Sequence, residues 1–200
     1  MKSKFRKINR GLILSVLVVL GIVAYYVVLG IQTAPEKRLM NETFTGYFEV
    51  FAPSFLVPEE YKRPDVTEQD VEKLAGEIEE KFRPYFADDK SLSYFMDNTI
   101  LPNLESQTIY PTQDVTKSVC EYQKLLEADI DKEKGTATAR VRVKTSNNIS
   151  YYEAIYHEDG TVTKKPSGSN SGYEWQQELT FSMQKLDGKW LITGFSGYWL

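Results

Sequence analysis

Residues 116–144 read TKSVCEYQKLLEADIDKEKGTATARVRVK. In the first half Cys120, Tyr122, Leu126, Ala128 and Ile130 alternate with Glu121, Gln123, Glu127 and Asp129. In the second half Ala137, Ala139, Val141 and Val143 alternate with Thr138, Arg140, Arg142 and Lys144. A period of two is that of a strand with one buried face and one wet face. The polar run Asp131-Lys132-Glu133-Lys134-Gly135 between the halves is a turn, so the stretch predicts a long antiparallel hairpin. Acidic residues on one strand and basic ones on the other favour their pairing by modest cross-strand attraction.

Toward the C-terminus the strand pattern continues. Residues 149–157 form a third strand, with a short extension at 161–165 after Asp159-Gly160. The run PSGSNSG at 166–172 predicts a flexible loop. Trp175, Leu179, Phe181 and Met183 then alternate up to Asp187-Gly188, a strong two-residue hairpin signal. The last strand, 189–200, carries Trp190, Ile192, Phe195, Tyr198 and Trp199 and is expected to pack rather than fray.

Toward the N-terminus the period becomes helical. Met40, Phe44, Tyr47, Phe48 and Phe51 fall on one helix face, which Pro53 and Pro58 end and which Pro35 opens as a first helical residue. Thr67 and Asp70 make a capping box before Val71, Leu74, Ala75, Ile78 and Phe82, whose other face is filled with carboxylates and reads as a solvated surface, with docking of a basic partner the alternative. Tyr85, Phe86, Leu92, Tyr94, Phe95, Ile100 and Leu101 predict one or two more short helices before Pro102. Helices followed by antiparallel hairpins make an α+β domain with the helices on one face of the sheet.

Before all of this stands GLILSVLVVLGIVAYYVVLGI, residues 11–31, without a charge. At 1.5 Å per residue it spans roughly 30 Å, the thickness of a bilayer's hydrocarbon core. Its five Leu, three Ile and six Val give an insertion free energy of roughly −4 to −8 kcal/mol. The run is longer than a signal-peptide core, and Ala34 before Pro35 is a poor cleavage site, so an uncleaved anchor is expected. Lys2, Lys4, Arg6, Lys7 and Arg10 hold the N-terminus in the cytoplasm and place the rest outside. The expected organisation is a basic tail at 1–10, a transmembrane helix at 11–31, a linker at 32–35 and one extracytoplasmic domain at 36–200.

Charge narrows the function. Five of the 24 basic residues lie in the tail, so 19 face all 28 acidic ones over residues 32–200, a balance of −9. Such a body is not built for a phosphate backbone, and no direct nucleic-acid binding is expected. One cysteine and one histidine exclude a disulfide framework, multi-cysteine metal sites and two-histidine motifs. No cofactor or metal is called for, and no glycine-rich phosphate loop, nucleophile elbow or Cys-His pairing occurs.

The closing hairpin KLDGKWLI at 185–192, with the helical stretch 82–86 before the strands, resembles the NTF2-like (cystatin-like cone) superfamily. The resemblance covers about residues 36–200 and implies a cone of N-terminal helices packed on a curved antiparallel sheet. One membrane helix followed by one such outward domain is similar in architecture to the VirB8-like proteins of conjugative type IV secretion systems, including those of Gram-positive bacteria. There the domain is an assembly hub without catalytic residues. The resemblance therefore implies a membrane-anchored assembly module whose partners are envelope or secretion-complex proteins, and it allows a homo-oligomer.

Two other classes are open. Enzymes of the superfamily work inside the cone, where Asp97, or Tyr122 with Tyr152, would have to meet; the strand acids, however, fall on the polar phase, Cys120 on the apolar phase, and His157 at a turn. A small-ligand or peptide binder would need an open apolar cone, and a cone filled by side chains would count against it. For an interaction module the residues to examine are Tyr151 and Tyr152, Ser167 and Asn170 in the loop, and Tyr198 and Trp199 at the terminus.

Overall fold

The computed structural model describes residues 10–63, 65–157 and 162–196. The chain separates into two compact units, Met1–Arg38 and Leu39–Leu200. The first helix, α1 (Arg10–Phe51), runs unbroken through 32–35, the stretch expected to be a linker, and Pro35 lies inside it rather than at its start. A proline forfeits one ladder bond. Strongly helix-compatible runs on either side, one apolar and one aromatic-striped, keep the helix going across that gap. In the first unit every large apolar side chain described from Leu14 to Ile31 is at least half exposed.

In the second unit the α1 stripe does what its spacing predicts. Met40, Phe44, Tyr47, Phe48 and Phe51 are all buried. Two short turns, Pro53–Phe55 and Glu59–Tyr61, lead to α2 (Glu68–Phe82). Its capping box is complete: Asp70 N–H donates to Thr67 Oγ1, and Thr67 N–H donates to Asp70 Oδ2. Val71, Leu74, Ile78 and Phe82 are its buried face. A turn at Arg83–Tyr85, then α3 (Asp89–Phe95), a single π turn at Met96–Ile100 and α4 (Leu101–Gln107) complete the helices. Pro102 sits in the first turn of α4, so it starts a helix instead of ending one.

The strands are β1 (Gln113–Asp131), β2 (Thr136–Tyr156), β3 (Val162–Leu186) and β4 (Lys189–Ser196), antiparallel in the order β1-β2-β3-β4. The hairpin read at residues 116–144 is β1–β2. Asp131 Oδ1 accepts the N–H groups of Glu133 and Lys134 in its turn, and Gly135 takes a φ of 64° there. Register corrects one residue. Gln123 and Leu126 are extra residues between paired positions, so Cys120, Tyr122, Leu125, Ala128 and Ile130 meet the core, and Leu125 replaces the expected Leu126. Thr193 bulges likewise in β4, which is why the apolar spacing there runs 190, 192, 195.

The expected loop at 166–172 is instead part of β3, pairing with β2 from Ile149↔Asn170 to Tyr152↔Pro166. The third strand and its extension are thus the far ends of β2 and β3. Glycine and serine supply bulges rather than a break: Gly172, at φ 73°, and Ser167 are each skipped in the register. Asp187 and Gly188 make the two-residue turn between β3 and β4 with φ of 49° and 80°, the left-handed pair that such hairpins require.

The helices cover one face of the sheet, and rings fill the layer between. Tyr47 stands at its centre, with the rings of Phe48, Phe51, Phe82, Phe95 and Phe181 at 5.0 to 6.0 Å. Its hydroxyl, fully buried, has no hydrogen-bond partner among the described residues. Burial holds its proton far above the ordinary tyrosine range. An orphaned buried hydroxyl costs about 1–3 kcal/mol. Tyr47→Phe is therefore expected to stabilise residues 36–200 by about 1 kcal/mol, read from urea unfolding midpoints; a loss of that size would mean the hydroxyl is satisfied in solution.

The other face is wet and ionic. Arg140 reaches Glu127 at 3.0 Å and Glu178 at 3.1 Å, Arg142 reaches Glu178 at 2.7 Å, and Lys144 reaches Glu174 at 2.7 Å. Of these pairs Arg140–Glu127 is the β1–β2 attraction read from the sequence, whereas Glu174 and Glu178 stand on β3, and as exposed pairs each is worth little. Specific bonds fasten the layers. Thr43 Oγ1 donates to the Trp190 carbonyl at 2.6 Å, and the Tyr122 hydroxyl donates to Asn41 Oδ1. Gln107, buried, donates from Nε2 to the Phe55 carbonyl at 3.0 Å and accepts the Val115 N–H at 2.9 Å.

Candidate interaction ribbon

The sheet does not keep its width. β1 begins at Gln113, opposite Tyr151, and β4 pairs with β3 only over 180–186. Beyond Tyr151 the sheet is therefore two strands wide, with 152–156 of β2 paired to 162–166 of β3. A two-stranded ribbon in water is marginal, because neither face has a layer to bury against.

Apolar residues occur on both faces of this ribbon. Alternation along β2 puts Tyr151, Glu153 and Ile155 on one face and Tyr152, Ala154 and Tyr156 on the other. Tyr151 is 38% exposed, Ile155 40%, Tyr156 60% and Val162 38%. Lys164 Nζ lies 5.6 Å from the centre of the Tyr152 ring, a cation over an aromatic face. Glu153 and Lys165 pair at 3.5 Å across the strands, and His157 Nε2 is 2.8 Å from Thr163 Oγ1.

Four residues singled out from sequence come together here. Tyr151 pairs with Gly168, Tyr152 with Pro166, Ser167 is the bulged residue between those two partners, and Asn170 stands opposite Ile149. The side chain of Asn170 lies outside the described residues, as do Tyr198 and Trp199 altogether. The sequence reading missed Ile155, Tyr156, Val162 and Lys164. Their signal was the run YYEAIY at 151–156, apolar at both phases of the alternation, which a strand covered on one face alone does not need.

The groups weighed for catalysis are not gathered into a site. Asp97 is exposed on the π turn. Tyr122 pairs at Val143, nine residues along β2 from Tyr152, a separation of roughly 30 Å. The Tyr122 hydroxyl is engaged with Asn41, and burial pushes its pKa up to about 12. Cys120 is buried, and desolvation pushes its thiol up to about 12 as well. Among the described residues no group of three or more His, Cys, Asp or Glu is placed to hold a metal ion.

A thiol so raised makes a plain expectation. Thiolate is the reacting form, so Cys120 in the folded chain should resist alkylation at pH 8 and react at once in denaturant; rapid labelling of the native chain would refute its burial. The stability counterpart has a definite sign. Cys120 and Tyr122 both hold their protons more tightly folded than unfolded. Their contribution is complete below about pH 9 and is lost as the pH rises toward 12.

No family model matches the chain, and no curated protein matches it. Among solved structures, the chain is similar to the intermembrane space region of the chloroplast protein ARC6, with a TM-score of 0.43 and 9% identity, over 80% of this chain and 94% of that one.

Proposed function

We propose that this chain is a membrane-anchored, non-enzymatic interaction module, its α+β domain held outside the cytoplasm and its β2–β3 ribbon serving as the contact surface. The ribbon carries the reading: two strands with exposed aromatic and aliphatic side chains on both faces gain stability when something covers them. The anchor supports it. One helix near the N-terminus is long and apolar enough to cross a membrane, and five cations precede it with no carboxylate, the charge pattern of a cytoplasmic end.

Within this proposal the order of elements, helices first and antiparallel hairpins after, fits the NTF2-like cone, and a VirB8-like scaffold in a type IV secretion system is its narrowest form. The interior favours a scaffold over a ligand-binding cone, since rings of α1, α2, α3 and β3 occupy the layer between helices and sheet. The test is crosslinking of the full-length protein in its native membrane, followed by mass spectrometry. Recovery of envelope or secretion proteins through peptides 151–168 supports the module; recovery of none, with a Tyr151→Ser/Tyr156→Ser chain behaving as the native one, overturns it.

A further inference from the structure

We infer that the groove between the end of α1 and α2 receives a basic segment of a partner protein. One apolar side chain of that segment enters the groove, and Lys or Arg on either side of it meets the acids along the groove's lips. This surface is separate from the ribbon and does not depend on it.

The groove follows from the local sequence. α1 ends at Phe51, and the chain turns through Pro53–Phe55 and runs on past Pro58 before α2. Val50, Pro53, Leu56 and Pro58 line the groove from this side, and Leu74 and Ile78 line it from α2. Proline fixes its own φ, so Pro53 and Pro58 hold their side in shape before anything enters. Leu56 is 39% exposed although its neighbours Phe55 and Val57 are buried. The groove holds about 250 Å³, below the roughly 300–1,000 Å³ of small-ligand pockets. That volume suits one side chain of a docked segment better than a free ligand.

Charge decides which kind of segment. Residues 39–82, which supply both sides of the groove, hold 11 acidic and 4 basic residues, a balance of −7. Residues 83–200 hold 16 and 13, a balance of only −3. The acidity of the domain is therefore concentrated around this groove. Glu49 lies on one lip, next to Val50. Glu77 is exposed on α2, three residues past Leu74 and one before Ile78, which sets it along the other lip. Among the described residues neither of them forms an ion pair, and nor do Glu60, Glu68 and Glu72. The wet face of the sheet differs, because Glu127, Glu174 and Glu178 there are already neutralised by Arg140, Lys144 and Arg142. Unpaired acids beside an apolar cleft complement cations beside an apolar anchor. Lys81 also lines the groove and opposes such a partner. The basic run of this chain, Lys2 to Arg10, is not the occupant in the topology proposed above, which sets it across the membrane.

The experiment titrates a fluorescein-labelled peptide, Lys-Arg-Lys-Leu-Lys-Arg-Lys, with the full chain in neutral detergent and reads its anisotropy. Saturable binding is expected, with a Kd of roughly 10–100 µM. The same peptide with Ala in place of Leu should bind about tenfold more weakly, the worth of one buried apolar side chain. Glu49→Lys/Glu77→Lys should weaken the Leu peptide by about tenfold or more, and Lys81→Glu should tighten it. Glu121→Lys/Asp129→Lys makes the same change in net charge at exposed positions of β1 and should leave binding within about twofold. No saturable binding to the native chain, or an equal loss from the two charge-reversed pairs, overturns the inference. Equal affinity for the Leu and Ala peptides overturns it too, since the groove would then play no part. The Tyr151→Ser/Tyr156→Ser chain should bind the peptide as the native one does. Loss of binding there would place the peptide on the ribbon and overturn the groove, whereas the ribbon itself stands or falls on its own crosslinks.

Discussion

A chain beginning at residue 52 will not fold, whereas one beginning at residue 36 will. The difference is the second part of α1. Met40, Phe44, Tyr47, Phe48 and Phe51 are 0 to 4% exposed and occupy the centre of the layer between helices and sheet. Deleting one large buried side chain costs about 2–5 kcal/mol, so five together exceed the roughly 5–15 kcal/mol that a domain has in total. The Thr43 bond to the Trp190 carbonyl and the Tyr122 bond to Asn41 go with them, leaving the sheet's apolar face bare. The shorter fragment should show no cooperative urea transition and no near-ultraviolet circular dichroism. The longer should show both. A folded 52–200 fragment would mean that α1 is an accessory to a core completed elsewhere.

Trp190→Ala in the 36–200 fragment should cost roughly 3–5 kcal/mol, the range for emptying a large aromatic site. Trp190 is 1% exposed and sits two residues past the Asp187-Gly188 turn. Its carbonyl receives Thr43 Oγ1, and Lys185 Nζ lies 6.0 Å from its ring. The loss should therefore appear as a lower urea midpoint with the transition still cooperative, since the turn itself is untouched. A midpoint unchanged from the native fragment would show that Trp190 is not part of the core. The Tyr47→Phe gain moves the other way, in the same layer. The two together separate the worth of ring volume from the cost of a polar atom without a partner.

Much of this architecture was legible residue by residue. The apolar run at 11–31, the α1 stripe, the Thr67–Asp70 capping box, the β1–β2 alternation and the Asp187-Gly188 turn are local patterns. Each depends on the spacing of a few neighbouring side chains and on nothing distant. They determined an α+β domain behind one membrane-length helix, and the sign of its charge.

What tertiary structure decided was register and width. Single-residue bulges at Gln123 and Leu126 swapped Leu126 for Leu125 in the core, because a bulge turns every later side chain to the opposite face and only the partner strand reveals it. Pro35 stayed helical, and 166–172 became strand, because pairing and flanking helix outweighed the local preference of proline, glycine and serine. The contact ribbon arises the same way. Tyr151 and Ser167 are sixteen residues apart in sequence, and no local pattern says that β1 starts opposite the one and that the other is a bulge beside it. Where a sheet stops being covered is set by where its outer strands begin and end, and that is a property of the whole fold.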